Sequence, residues 1–460
     1  MQKLSSLKRV KKIIKPFIPS FLWRIRRKFY DYLEDQRFKK ICQTRKVECS
    51  AGAIKNFTNL EQASRIKVLF YNDWGGSWEA LEPLALALSK NEDFEVIVLA
   101  MPTLVQSGNF YDLGATKALQ EFSKKIHTPI TYTLDVNARV QCVVGFDSQM
   151  QVTLYPETTQ AHYCFTTRPY DSLRPHGWSN ADIAECMKLC YIEYCADVFS
   201  IQEGIETFYD FRYLRYYDFI FSPTIFHKYL VESRQESDSF AKIIATGSAL
   251  FENIVNTDFS KPLGGGSKPY VCYMPRWNTT DSHSTFSVYR DLLWTLARED
   301  KIVLIWRPHP NMYDHYVKNT KILTQEQWDF FATAPNVFLD NNPSYFDSFK
   351  KSDILISDTS SMLTYAFLSG KPTIYTQNLM GGELNNWSAR WIYQGCFVVN
   401  NRDSLEKVLY EIQKNYDSIM FSLQSSYKKI VNESFSSSLG AEVHRILKDI
   451  LVEDIKTYIP

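Results

Sequence analysis

The sequence predicts an α/β protein with two doubly wound domains. After residue 300, the apolar runs 302–306 and 354–356 each end in polar residues and continue into a helix-like segment. This order of strand, turn and helix is typical of a parallel sheet. The chain has 460 residues, which is more than one hydrophobic core ordinarily holds. The glycine-rich segment 263–269 has the composition of a linker between two such units.

Residues 1–60 form a basic helical extension ahead of the first domain. Residues 1–30 contain ten Lys and Arg and no Asp or Glu, so the other 430 residues carry 42 basic and 51 acidic groups. Pro16 and Pro19 divide the segment into two short helices with apolar residues at helical spacing. This pattern predicts association with an anionic membrane surface. A helix packed on its own protein, with a solvated basic face, is the alternative.

The predicted first α/β domain spans residues 61–262 and lies on the acceptor side. A buried strand at 65–71 is followed by a polar turn, a helix at 77–90 and a second strand at 94–100. The glycine pair in that turn does not match the GxGxxG fingerprint, so we expect no dinucleotide cofactor. Four further strands are predicted at 140–146, 189–194, 218–222 and 242–246.

The predicted second domain, on the nucleotide-donor side, spans residues 263–438. Its expected strands lie at 270–274, 302–306, 354–356, 373–376 and 396–399, with helices at 287–298 and 403–414. A closing helix within 439–460 is expected to return to the first domain. Two doubly wound domains that face each other across a cleft form the GT-B architecture.

Composition excludes several other classes of protein. No window approaches the roughly 20 apolar residues that span a bilayer, and the start has no signal-peptide pattern. The nine cysteines are odd in number and lack CxxC pairs, which favours reduced thiols in the cytoplasm. Beyond the amino terminus no basic groove is evident, so nucleic acid is not an expected partner. We therefore predict a cytoplasmic protein, peripheral on the inner face of the cell membrane.

The candidate functional residues lie in the two polar segments that end the apolar runs 302–306 and 354–356. Ligands of parallel α/β sheets bind beyond the carboxyl ends of the strands. Arg307 and His309 follow the first run, and a hydroxyl-rich turn before a helix follows the second. The free N–H groups at a helix start hold anions, so these residues predict a phosphate site. An ordinary helix cap and a rigid proline turn are the structural alternatives. The predicted donor-binding set is Arg276, Arg307, Ser357, Asp358, Thr359, Ser360 and Ser361.

These motifs resemble the CDP-glycerol glycerophosphotransferase family, whose members build teichoic acids and related capsule polymers. The similarity lies in YVCYMPRW at 270–277, RPHPN at 307–311 and SDTSS at 357–361 with a following Lys-Pro. Looser similarity lies in RPYD at 168–171, KLCYI at 188–192 and the TGS turn at 246–248. The chain departs from the family at Tyr365, where an aspartate associated with the donor is usual. The acceptor-side histidine of the family's WHG motif has no counterpart.

The resemblance implies transfer of a glycerol-phosphate or related unit from a CDP-activated donor to a lipid-linked or polysaccharide acceptor. His309 and Arg307 would then stabilise the phosphates of the leaving nucleotide. Because no DxD-like pair stands at a strand end, we expect no metal and no cofactor. Asp171 and His176 in the loop 169–178, and Asp73, are the candidate bases. A GT-B glycosyltransferase or epimerase that uses a nucleotide-sugar is one alternative function, and a non-catalytic polymer-binding protein is another.

Overall fold

We analysed a computed structural model of the chain. It describes residues 20–46, 54, 65–105, 108–194, 196–198, 211–235, 239–259, 268–277, 284–342, 344–379, 381, 383–435 and 443–456. The predicted helix ahead of Pro16 and most of the linker 263–269 lie outside these residues.

The first sheet has eight parallel strands in the order β10-β9-β8-β7-β1-β2-β6-β5. A short antiparallel pair, β3 and β4, stands apart from it. The strands are β1 (Ile66–Asn72), β2 (Phe94–Ala100), β3 (Thr103–Leu104), β4 (Phe110–Tyr111), β5 (Ile130–Thr131), β6 (Val140–Val144), β7 (Tyr163–Thr166), β8 (Lys188–Ile192), β9 (Phe219–Ser222) and β10 (Lys242–Ala245).

The second sheet has six parallel strands in the order β13-β12-β11-β14-β15-β16. They are β11 (Tyr270–Met274), β12 (Val303–Trp306), β13 (Val337–Leu339), β14 (Ile354–Ser357), β15 (Thr373–Thr376) and β16 (Phe397–Val399).

Helices cover both faces of each sheet. They are α1 (Ser20–Lys46), α2 (Glu82–Ser89), α3 (Ala115–Ile126), α4 (Pro156–Thr159), α5 (Asn180–Cys186), α6 (Phe211–Leu214), α7 (Ile225–Glu232), α8 (Ala249–Asn256), α9 (Phe286–Arg298), α10 (Gln325–Thr333), α11 (Phe346–Lys351), α12 (Ser361–Leu368), α13 (Asn386–Gly395), α14 (Arg402–Lys414), α15 (Tyr416–Phe435) and α16 (Val443–Lys456).

Successive buried side chains of the central strands alternate between the two faces of the sheet, which explains why helices cover both faces. In β1, Val68 and Phe70 belong to one core cluster, whereas Leu69 and Tyr71 belong to the cluster on the opposite face. Successive side chains of a strand point to opposite faces, and parallel strands are buried on both. The structure therefore has the predicted α/β class, with two doubly wound sheets.

The segment that connects the two sheets packs mainly with the second. Phe251 on α8 and Phe259 beyond it are buried in the same cluster as Cys272 and Met274 of β11. The exact limits of the predicted domains, at residues 262 and 438, stay predictions.

Helix α1 is one continuous helix of 27 residues, longer than the short helix predicted after Pro19. Its carboxyl-terminal half packs on the first domain, where Phe38 and Ile41 are buried. Arg45 forms a buried ion pair with Asp218. This half of the helix therefore matches the alternative in which the helix packs on its own protein.

Helix α16 returns to the first domain at the end of the described chain. Leu447 and Leu451 lie in the core cluster of the first sheet. The carboxylate of Asp454 accepts hydrogen bonds from Lys188 of β8 and from Tyr163 of β7, both buried. This polar contact fixes the helix against the sheet.

Some elements differ from the sequence predictions. The helix expected at 77–90 is a 3₁₀ turn at Gly75–Ala80 followed by α2. The central strand β7 was not predicted. Its four residues are bounded by polar His162 and Thr167, and their hydrophobic pattern shows no distinctive period. None of the described helices is long and apolar enough to cross a membrane.

Candidate functional site

The carboxyl ends of the two sheets face each other, and His309 lies where they meet. Trp74 follows β1 in the first domain, and its ring centroid lies 6.4 Å from that of His309, which follows β12 in the second. Trp277, just beyond β11, lies 6.0 Å from the same imidazole. Because ligands of such sheets bind beyond the strand ends, this is the candidate site.

The imidazole of His309 is positioned as a neutral hydrogen-bond donor. The backbone N–H of Asn311 donates to Nδ1 over 3.1 Å, which leaves the ring proton on Nε2. Burial, together with the nearby Arg276 charge, lowers the pKa of His309 to about 3. A protonated imidazole is therefore not the species present at neutral pH. The neutral Nε2–H remains available to a phosphate oxygen.

Arg276 is fixed beside His309 by a buried carboxylate. The backbone N–H of Arg276 donates to both oxygens of Asp358, at 3.0 and 2.9 Å. Thr285, which precedes α9, donates its backbone N–H to the same carboxylate over 3.1 Å. Burial raises the pKa of Asp358 to about 6, although these hydrogen bonds favour its ionised form. Asp358 thus organises the turn that presents Arg276.

Three residues of the predicted donor-binding set are part of the scaffold. Ser357, Asp358 and Thr359 are fully buried. Ser357 donates to the carbonyl of Met274 over 3.1 Å, and the Thr359 hydroxyl pairs with that of Tyr375 over 2.8 Å. A run of polar residues in the sequence does not show which members point inward.

The hydroxyl cluster reaches the surface of the crevice at Ser360 and Ser361. Both are half-buried, and α12 begins at Ser361. Ser360 occupies the N-cap position, but its hydroxyl pairs with Ser357 over 3.0 Å and does not cap the helix. The first N–H groups of α12 are therefore not satisfied by this side chain. With Arg276 and His309, they are the groups of this region whose chemistry suits an anion.

Arg307 is held within its own domain. Its guanidinium pairs with Asp340 over 2.7 Å and donates to the carbonyl of Asn342 over 2.7 Å. The Arg307 charge also keeps the pKa of Asp340 below its usual value, although burial acts in the opposite direction. Arg307 is therefore largely neutralised, so Arg276 is the better candidate for the phosphate-binding cation.

Glu79 is a candidate that the sequence analysis missed. It lies on the 3₁₀ turn after β1, and Arg307, Ser344 and Tyr345 of the second domain act on its carboxyl group. Burial raises the pKa of Glu79 to about 6. Among the described residues, its buried Oε2 has no hydrogen-bond partner. A carboxyl group with a pKa near neutrality suits acid–base chemistry.

The three bases proposed from the sequence lie in three different environments. Asp171 accepts a hydrogen bond from the backbone N–H of Asn180 over 2.7 Å, at the start of α5. His176 is exposed on the same loop. Asp73 forms a buried ion pair with Arg168 over 2.6 Å. In the described part of the chain, none of the three forms a hydrogen bond or ion pair with His309.

Tyr365, at the position where the family has an aspartate, joins the two domains. It is 4% exposed, and its hydroxyl donates to the carbonyl of Tyr194 in the first domain. Its ring stacks on Tyr345 with centroids 5.2 Å apart. The side chain therefore occupies an interdomain contact.

No group of three or more His, Cys, Asp or Glu side chains among the described residues is arranged to hold a metal ion. Arg276 is a cationic side chain close enough to His309 for its charge to act on the imidazole.

The fold is similar to that of solved structures of nucleotide-dependent enzymes. The S. aureus MnaA–UDP structure aligns with a TM-score of 0.52 at 13% identity, covering 86% of this chain and 99% of that one. A UDP-N-acetylglucosamine 2-epimerase aligns with a TM-score of 0.50 at 12% identity, covering 85% and 97%. The wall teichoic acid polymerase TagF aligns with a TM-score of 0.47 at 12% identity, covering 95% and 98%.

Identities this low show the fold alone, which is the GT-B arrangement of two Rossmann-like domains. No protein-family model and no curated protein sequence matches the chain.

Proposed function

We propose that the chain is a transferase that moves a glycerol-phosphate, or related alditol-phosphate, from a CDP-activated donor to a surface-polymer hydroxyl, releasing CMP. The acceptor is a polysaccharide or a teichoic-acid-like polymer, free or lipid-linked. The observation that carries the proposal is the neutral Nε2–H of His309 beside Arg276 and the start of α12. The motifs that resemble the glycerophosphotransferase family supply its chemical identity.

The reaction needs charge stabilisation and alignment more than covalent chemistry from the protein. The acceptor oxygen attacks the phosphorus that carries glycerol, and the bond from that phosphorus to the bridging oxygen of CMP breaks. His309 donates a hydrogen bond to a phosphate oxygen, while Arg276 and the N–H groups of α12 offset the charge on the departing CMP. Preorganised donors of this kind lower the barrier because they need not reorient during the reaction.

The proton of the acceptor hydroxyl needs a base, and we assign that role to Glu79. With a pKa of about 6 its carboxyl group is mostly ionised at neutral pH, yet basic enough to accept a proton in the transition state. Glu79→Gln should therefore reduce turnover while nucleotide binding persists. Asp171→Asn and His176→Gln are the matched controls, and we expect them to retain turnover. If either control lost more turnover than Glu79→Gln, the base would instead lie in the loop 169–178.

A GT-B glycosyltransferase or epimerase that uses a nucleotide-sugar is the second candidate function. It is favoured by Tyr365, because the aspartate associated with the family's donor is replaced by an interdomain tyrosine. Product analysis separates the two functions, since one forms a phosphodiester and the other a glycosidic bond or an epimer.

Exposed apolar side chains on α1 support association with an anionic membrane surface on the inner face of the cell membrane. Phe29, Tyr32 and Leu33 are 58%, 57% and 46% exposed. On the same helix, Glu34 accepts a hydrogen bond from Tyr216, and Asp35 pairs with Arg215 at 2.8 Å. An apolar stripe after a basic segment is typical of a helix that lies in the membrane interface.

A thermal-shift panel of CMP, CDP, UDP, GDP and CDP-glycerol tests the proposed function. A ligand at 100 times its Kd should stabilise the protein by roughly 2.7 kcal/mol. We expect cytidine nucleotides to give the largest shift, and Arg276→Ala to remove most of it. Selective stabilisation by UDP would favour the nucleotide-sugar enzyme. If no nucleotide stabilises the protein, the non-catalytic polymer-binding function is the better account.

A further inference from the structure

The candidate site contains an aromatic surface that the phosphate chemistry does not use. Trp74 and Trp277 are both half-buried and lie next to His309, one from each domain. A large apolar ring that stays partly exposed in a cleft is a common feature of a ligand-contacting surface.

The indole of Trp74 is held in a fixed orientation by its neighbours. Tyr194 packs edge-on against it at 5.4 Å, with an interplanar angle of 84°. The guanidinium of Arg168, itself paired with Asp73, lies 5.8 Å from the ring centroid. A Cβ atom on Gly76 would lie 2.9 Å from two carbons of the indole, so the glycine makes room for the ring. This placement is therefore specified by the surrounding sequence.

We infer that Trp74 is the stacking surface for a sugar ring of the acceptor, an inference that rests on the proposed function. The phosphates of the donor belong to the second domain, at Arg276 and α12, whereas Trp74 belongs to the first. A cationic ligand is disfavoured because Arg168 already lies against the indole and Arg276 lies near His309. A neutral ring with an apolar face fits the remaining surface, and an open glycerol chain has no such face.

The test uses the full-length protein saturated with CDP and measures Kd by ligand-observed NMR. The probes are methyl glycosides of hexoses and N-acetylhexosamines, with glycerol as the open-chain probe and cytidine as the nucleobase probe. We expect a glycoside to bind about tenfold more weakly to Trp74→Leu, which keeps apolar bulk but lacks a flat face. Trp74→Phe should lose only about twofold. Phe421→Ala, which alters a side chain that is 80% exposed on α15, is the control and should change nothing.

Equal glycoside binding by the wild type and Trp74→Leu, with CDP binding intact, would overturn the inference alone. It would equally be overturned if cytidine, and not a glycoside, depended on Trp74, since the indole would then hold the donor base. Binding of CDP without any glycoside binding would also overturn it and leave the proposed function standing. Failure of CDP itself to bind would remove the proposed function and this inference together.

Discussion

His227 makes the contact between the two domains sensitive to acid. The side chain is fully buried, with Nε2 3.1 Å from the carbonyl of Asp197 and Nδ1 2.7 Å from the hydroxyl of Thr224. Its ring packs edge-on against Trp387 of the second domain at 4.9 Å. The carbonyl requires the ring proton on Nε2, so Nδ1 must accept from Thr224. A second proton on the ring would make Nδ1 a donor, so the Thr224 hydroxyl would have to accept instead, and it would place a charge in the contact.

The lowered pKa of His227 sets the size of the loss in the free energy of unfolding. Burial lowers the pKa of His227 from 6.5 to about 4. The stabilisation from keeping this ring neutral is fully present above pH 6.5 and is lost as the pH falls towards 4. At pH 5 the unfolded histidine is mostly protonated, so the loss is about 2 kcal/mol.

Urea unfolding at pH 7.5 and pH 5.0 measures this loss directly. The wild type should lose about 2 kcal/mol more between the two pH values than His227→Gln, which has no proton to bind. His176→Gln, at an exposed position, is the control and should match the wild type. Equal pH dependence in the wild type and His227→Gln would refute the reasoning.

Three further predictions concern the closing helix, the metal and the membrane. Asp454→Ala leaves Lys188 buried without its partner, so urea unfolding should show a loss of about 3 to 5 kcal/mol. EDTA should leave nucleotide binding and turnover largely intact, whereas a loss restored by Mg²⁺ or Mn²⁺ would reveal a metal site. Phe29→Ser with Leu33→Ser should reduce sedimentation with anionic vesicles at an unchanged melting temperature. Unchanged sedimentation would contradict the membrane proposal.

The sequence predicted the sheets well where a buried run ends in distinctive polar residues. The strands before RPHPN and SDTSS lie at 303–306 and 354–357, within one residue of their predicted bounds. The strand β7 was missed because four residues carry too little pattern to separate a strand from a loop. Its omission also left the RPYD segment at 168–171 without a place in the sheet, so the contact of Arg168 with Trp74 was not anticipated.

The candidate site could be predicted only in part, because its remaining contacts join distant segments. No distinctive motif surrounds Glu79 in the sequence, and its importance appears only when Arg307 and Tyr345 approach from the other domain. Asp340, which neutralises Arg307, is 33 residues further along the chain. The inward direction of Asp358 likewise depends on the neighbouring strand β11, which no local pattern reveals.

In the proposed function, the neutral imidazole of His309 stabilises the phosphates of a cytidine donor during transfer. The most direct measurement is the rate of CMP release from CDP-glycerol, with extracted surface polymer as acceptor, for the wild type and His309→Ala. Losing one preorganised donor typically costs about 100- to 1000-fold in turnover. We predict a loss of that size with an almost unchanged melting temperature, because the imidazole is half-buried at the cleft. Near-normal turnover by His309→Ala, or no CMP release by the wild type, would contradict the account.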